Sequence, residues 1–130
     1  MLDLFDKTYT AKSKSLKPGI IFLDIKKAFD TVNHNILLQK LKHYGIEGIV
    51  IKWLKSFLIN RLQQTKICNS ISNHAAITCG VPQGSILGPL LFSIYINDIT
   101  QACRNSIPFL FADDGALYFD NIKRGSYENI

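Results

Sequence analysis

Ile107-Pro108-Phe109-Leu110-Phe111-Ala112-Asp113-Asp114-Gly115 is the stretch on which the reading of this chain turns. An apolar run of strand character ends there in two adjacent carboxylates and a glycine. Neighbouring anions at the rim of an apolar element repel each other and lose hydration, so they require a compensating charge. A divalent cation is the usual one, and hard oxygen ligands suit magnesium or manganese. A second apolar run, Ile20-Ile21-Phe22-Leu23-Asp24-Ile25, brings a third carboxylate, Asp24. Three carboxylates carried by two strands can hold two metal ions and support phosphoryl or nucleotidyl transfer.

Outward from the acids, residues 107–112 and 116–119 read as two strands joined by Asp113-Asp114-Gly115. Asp-Gly favours a tight hairpin turn, which predicts the acidic pair at its tip. The strand at about 20–25 is continuously apolar, and that predicts burial on both faces. Between them the pattern turns helical. Asn33 to Tyr44 has Asn33 or Asn35 as cap, Ile36, Leu37, Leu38, Leu41 and Tyr44 on one side, and Gly45 as stop. A second helix from about Glu47 to Leu58 carries Ile49, Val50, Trp53, Leu54, Phe57 and Leu58 as an apolar stripe, with Trp53 read as core. Gln63 to Cys68 and Ala75 to Cys79 form a short strand pair around Ser70-Ile71-Ser72-Asn73. Gly80 to Gly88 is a shaped loop, and Pro89 opens a third helix reaching about Ala102. Residues 1–18 are polar and Lys-rich with a weak helical pattern, ended by the Pro18-Gly19 turn. This order predicts an α+β fold, helices packed on an antiparallel sheet.

At 130 residues the chain is at most one domain, with nearly half its residues apolar and no repeat or low-complexity tract. The longest apolar run, Ile86 to Ile96, is interrupted by Gly88, Pro89 and Ser93, so no membrane span is expected. The N-terminus lacks the basic region and apolar core of a signal peptide, which makes nucleus or cytoplasm the expected location. Cys68, Cys79 and Cys103 are odd in number and widely spaced, and read as free, buried thiols of a reducing compartment. The net charge of +5 is divided unevenly: residues 1–66 hold 12 of the 15 Lys and Arg against 5 of the 10 acids. A basic surface beside an acidic metal centre suits a nucleic-acid enzyme, although Lys40, Lys42, Lys52 and Lys55 taken singly read as solvated helix faces.

Three stretches together resemble the reverse transcriptase family, most closely the non-LTR retrotransposon polymerases of the LINE or jockey type. They are Phe22-Leu23-Asp24-Ile25-Lys26-Lys27-Ala28-Phe29-Asp30 with its continuation Thr31-Val32-Asn33-His34, then Gly80-Val81-Pro82-Gln83-Gly84-Ser85-Ile86-Leu87-Gly88-Pro89-Leu90-Leu91-Phe92, then Phe111-Ala112-Asp113-Asp114. They stand in the family's order and span about residues 18 to 120. The resemblance implies a right-hand polymerase palm with a partial fingers segment: 1–17 a polar N-terminal segment, 18–120 the partial palm domain, 121–130 a tail. It implies Asp24 and Asp113 as catalytic ligands of two Mg²⁺ ions, Mn²⁺ being the alternative, with Asp114 in a supporting catalytic and metal-tuning role. Backbone amides of Ile25, Lys26, Lys27 and Ala28 would face a nucleotide triphosphate. Phe29 would exclude a ribose 2′-hydroxyl by steric contact, its other reading being an ordinary core aromatic. Gln83 and Gly84 would contact the incoming nucleotide and template, or else form a plain loop before the helix with Ser85 as cap. Asp30 and His34 match the family pattern and read as local packing residues.

The expected partners are an RNA template, a DNA primer and deoxynucleoside triphosphates. Fingers and thumb segments of a longer polymerase are missing from this reading, so the expected chain is a polymerase fragment inactive alone. Gly115 and the tail Lys123 to Ile130 depart from the family pattern. The alternative is a non-catalytic mobile-element remnant or a domesticated nucleic-acid-binding module. A small acidic-site metal hydrolase ranks last, because it leaves Gln83-Gly84 without a role.

Overall fold

The computed structural model describes residues 2–103, 105–111 and 114–121. In chain order the elements are α1 (Leu2–Ser13), β1 (Gly19–Asp24), a 3-10 turn (Ala28–Asp30), α2 (His34–His43), α3 (Gly48–Leu58), β2 (Arg61–Gln63), β3 (Lys66–Ile67), β4 (Ser70–Ile71), β5 (Ala75–Ile77), α4 (Leu87–Ile96), α5 (Ile99–Ala102), β6 (Ile107–Phe111) and β7 (Asp114–Phe119). Helices and antiparallel sheets make this an α+β chain. It forms two compact units, one from the described residues of Met1–Ile25 and Asp98–Ile130, the other from Lys26–Asn97. Among the described residues no helix is long and apolar enough to cross a membrane.

The first unit is an antiparallel sheet in the order β1-β7-β6. Its register sets Ile20 opposite Tyr118, Phe22 opposite Ala116 and Asp24 opposite Asp114, with Phe109 opposite Ala116 on the other side. Since side chains alternate across a strand, these residues share one face. Leu4 of α1 packs there on Ala116 and Tyr118, with Phe109 against them. Tyr118 is wholly buried; its ring meets Phe109 edge-on, and its hydroxyl donates to the Lys7 carbonyl at 3.0 Å. That bond lets a buried phenol keep a partner and ties the central strand to α1. The expectation that β1 is buried on both faces is corrected: among the described residues it pairs along one edge, with β7, and Ile20, Ile21 and Leu23 are exposed, as is Phe22 at 77%.

In the second unit, Asn33 caps α2 by accepting from the amides of Asn35 and Ile36. Gly45, at φ +81°, ends α2: its amide donates to the Lys42 carbonyl and that of Ile46 to the Leu41 carbonyl, a Schellman closure. Leu37, Leu38 and Leu41 are buried, and α2 packs on both α3 and α4. Ile36 and Tyr44, expected on the same apolar side, are exposed. On α3 only Leu54 and Leu58 are buried; Ile49, Val50 and Trp53 lie open, Trp53 stacking on Phe57. One neighbouring helix covers only part of so wide a stripe. Lys40, expected to be solvated, donates to the Tyr95 carbonyl near the end of α4 and lies over the Tyr95 ring at 4.9 Å.

Two further expectations shift. The strand pair is a double ladder, β2 with β5 and β3 with β4, turning at Cys68 in the left-handed region and not at Ser70 to Asn73. The predicted helix to Ala102 ends at Ile96 and restarts at Ile99. Asn97 and Asp98, both of low helix propensity, stand at the break; Asn97 donates to the Tyr44 hydroxyl at 2.7 Å. Cys68 and Cys79 are exposed and Cys103 is half-buried, all three free, so their expected burial is corrected.

Burial, and next the Asp120 carboxylate, push the Tyr118 hydroxyl above its usual value of 10.0. An unfolded tyrosine then releases its proton first, so stability present below about pH 10 falls as the pH rises past it. Tyr118→Phe should cost about 1 kcal/mol at neutral pH and flatten that alkaline loss. Unfolding curves between about pH 8 and 11 read both effects; an unchanged alkaline slope would assign the loss to other groups.

Candidate active site

Asp24 ends β1 and Asp114 begins β7, and the antiparallel register sets them directly opposite each other. Opposed residues carry their Cβ atoms on one face, about 4.5–5.5 Å apart, where like charges are destabilising. Both are exposed. Two facing carboxylates with only oxygen donors fit a hard divalent cation, which usually takes one or two carboxylates and completes its shell with water and phosphate oxygens. Among the described residues no group of three His, Cys, Asp or Glu could hold a metal ion. Asp113, the remaining acid of the expected set, lies outside the described residues, as do Ala112, Arg104 and the tail from residue 122 onward.

Asp114 and Gly115, expected in the hairpin turn, are strand: Phe111 pairs with Asp114 and Leu110 with Gly115. The Asp113 half of the expected tip lies outside the described residues. Pairing with β1 on the other edge of β7 overrides the local Asp-Gly turn preference: Gly115 faces Leu23 on one strand and Leu110 on the other. A Cβ there would meet Leu110 at 3.5 Å and Leu23 at 3.6 Å, ordinary contact distances.

Ile25 closes the first unit; the other expected nucleotide-binding positions belong to the second. Lys27 is left-handed, at φ 54° and ψ 41°, directly before the 3-10 turn. An amide run that changes hand in this way makes a concavity suited to anions. Phe29 is half-buried, its ring 4.7 Å from that of the buried Phe92. Gly84 is exposed at φ +77° with nothing near its missing Cβ. Ser85 Oγ accepts from the Gly88 amide at 3.0 Å, one position ahead of Ile86, the N-cap of α4.

The 3-10 turn and the Gly80 loop are fastened together. The Gly80 amide donates to the Val32 carbonyl and the Val81 amide to the Phe29 carbonyl, both at 2.8 Å. Buried His34 holds the Gly80 carbonyl through Nε2 at 2.7 Å, and Arg61 Nη2 donates to the same oxygen at 3.2 Å. Gln83 Nε2 donates to Asp30 Oδ1 at 2.7 Å. A groove of about 510 Å³ opens beside this junction, lined by Asp30, Arg61, Thr78, Cys79 and Gln83 among others. Asp30 and His34, expected as local packing residues, and Arg61 thus meet at this junction. Its mark in the sequence is Gly80, a glycine where the chain must approach another backbone.

A family model described as reverse transcriptase (RNA-dependent DNA polymerase) matches residues 2–129. The RNA-directed DNA polymerase from mobile element jockey of Drosophila melanogaster is 41% identical over 103 residues, 74% of this chain and 11% of that protein. The probable RNA-directed DNA polymerase from transposon BS of the same species is 34% identical over 114 residues, 78% of this chain and 12% of that protein. A Pol polyprotein from the type-1 retrotransposable element R2 of Popillia japonica is 29% identical over 133 residues, 92% of this chain and 22% of that protein. The chain therefore spans less than a quarter of the length of each of these relatives.

The two glycines should separate cleanly on substitution. A Cβ at Gly80 would lie 2.9 Å from Asp30 Cα and O and 3.0 Å from Phe29 O, at φ +87°, so Gly80→Ala should cost about 2 kcal/mol or more. Gly115→Ala meets no such obstacle and should stay within about 1 kcal/mol of the parent. Chemical denaturation measures both; equal effects would contradict this account of the Gly80 junction.

Proposed function

The chain belongs to the reverse transcriptase family, in its non-LTR retrotransposon branch, and from that premise we propose that it carries the palm chemistry of RNA-templated DNA synthesis. The observation that carries this reading is Asp24 standing opposite Asp114 across β1 and β7. Two like charges opposed across a ladder destabilise it and a bound cation would offset them, and this pair comes with Asp113 next in sequence. Asp24, Asp113 and Asp114 would hold two Mg²⁺ ions, with Mn²⁺ as a substitute. When bound, the ions lower the pKa of a primer 3′-hydroxyl and neutralise the triphosphate and the leaving pyrophosphate.

This chain's own residues supply binding and orientation. Amides from Ile25 to Ala28 receive the triphosphate, and the left-handed Lys27 supports the concavity this needs. Phe29 acts as the wall against a ribose 2′-hydroxyl; packing on Phe92 supports the role, since a gate works only if its ring is held. Gln83 and Gly84 contact the incoming nucleotide and template, and the bare, positive-φ Gly84 leaves room for close approach. RNA template, DNA primer and deoxynucleoside triphosphates are the proposed partners, with fingers and thumb supplied by a longer polymerase in which residues 18–120 are palm.

In the full-length polymerase carrying this segment, Asp24→Asn or Asp113→Asn should lower primer extension by about 10²-fold or more. Asp114→Asn should raise the stability of the metal-free chain by about 0.2–1 kcal/mol, because it removes the opposed charge. Phe29→Val should raise ribonucleotide incorporation. Full activity after either catalytic substitution would sink the assignment. Salt-dependent nucleic-acid binding without metal-dependent incorporation would favour the binding-module alternative.

A further inference from the structure

We propose that Asp30 is a positioning residue for Gln83, setting which end of the Gln83 amide faces a bound nucleotide; the inference rests on the nucleotide role assigned to Gln83 above. Both side chains are exposed, and an isolated surface hydrogen bond between two such groups would be weak. Here the backbone beneath them is already closed. Val81 N–H to Phe29 C=O and Gly80 N–H to Val32 C=O fasten the two segments at 2.8 Å, on either side of Asp30 in sequence. Gly80 lies so close to the Asp30 backbone that not even a methyl group fits between them. Asp30 and Gln83 therefore meet without a further loop-closure cost, and a 2.7 Å contact to a charged acceptor becomes a fixed orientation.

The chemistry gives the contact a direction. An ionised carboxylate only accepts, so it selects the NH₂ end of the amide and leaves Oε1 as the acceptor offered outward. The nearby cation does not compete for Asp30 in this arrangement: Arg61 sends Nε to the Leu58 carbonyl and Nη2 to the Gly80 carbonyl, both at 3.2 Å. His34 holds the same Gly80 oxygen from within the core. Arg61 and His34 thus fix the loop, and Asp30 fixes the side chain at its end.

The test is steady-state primer extension by the full-length polymerase carrying this segment. Asp30→Ala should raise KM for the incoming nucleotide about three- to tenfold while kcat changes less than about twofold. Asp30→Asn, whose Oδ1 still accepts, should recover part of that loss. The Asp30→Ala/Gln83→Ala double variant should be no worse than Gln83→Ala alone, because Asp30 acts through Gln83. In the 130-residue chain, the Gln83 side-chain amide protons should shift on Asp30→Ala. An unchanged KM for Asp30→Ala beside a raised KM for Gln83→Ala overturns the proposal and leaves the nucleotide site standing. So do multiplicative effects in the double variant. No effect of Gln83→Ala removes the nucleotide reading itself, and the proposal with it; the amide shift then reports only a structural clasp.

Discussion

The pairing of β1 with β7 is the constraint on which the acidic pair depends. Tyr118 and Ala116 are buried against Leu4 of α1 and Phe109, and that packing fixes which face of β7 points inward. Because strand side chains alternate with a period of two, a one-residue slip of β7 would expose Tyr118 and carry Asp114 to the opposite face. Core packing around one tyrosine thus fixes where Asp114 stands, and the β1 ladder sets Asp24 opposite it. The repulsion between those anions opposes the same register, and burial of the Tyr118 face outweighs it.

The second unit reaches its geometry through backbone contact. Gly80 brings two loops within direct hydrogen-bonding distance, and a buried histidine and an arginine share its carbonyl. A carbonyl has two lone pairs, so both donors are accommodated. The consequence is local rigidity in segments that carry no regular ladder. That property suits loops whose side chains must meet a ligand with little reorganisation.

Much of this was legible from local pattern. The Asn33 cap, the Gly45 stop and the boundaries of α2 and α3 are set by groups within a few residues of one another, so periodicity and capping chemistry reach them. The misses share one cause. The exposed faces of β1 and α3, the break at Asn97-Asp98 and the exposure of Cys68 and Cys79 all depend on what does or does not pack against a segment. Apolar composition reports that a residue can be buried, and says nothing of whether a neighbour is there to bury it.

By itself the sequence determined most of the elements, their order and the family, because these follow from residue type and spacing along the chain. Tertiary structure alone decided that Asp114-Gly115 is strand and not turn, since pairing with β1 is worth more than a local turn preference. It also decided that Asp24 faces Asp114, and that Asp30, fifty-three positions from Gln83, is the group that holds it. Contacts between residues so far apart are set by register and close packing, and neither is encoded in any short window of the chain.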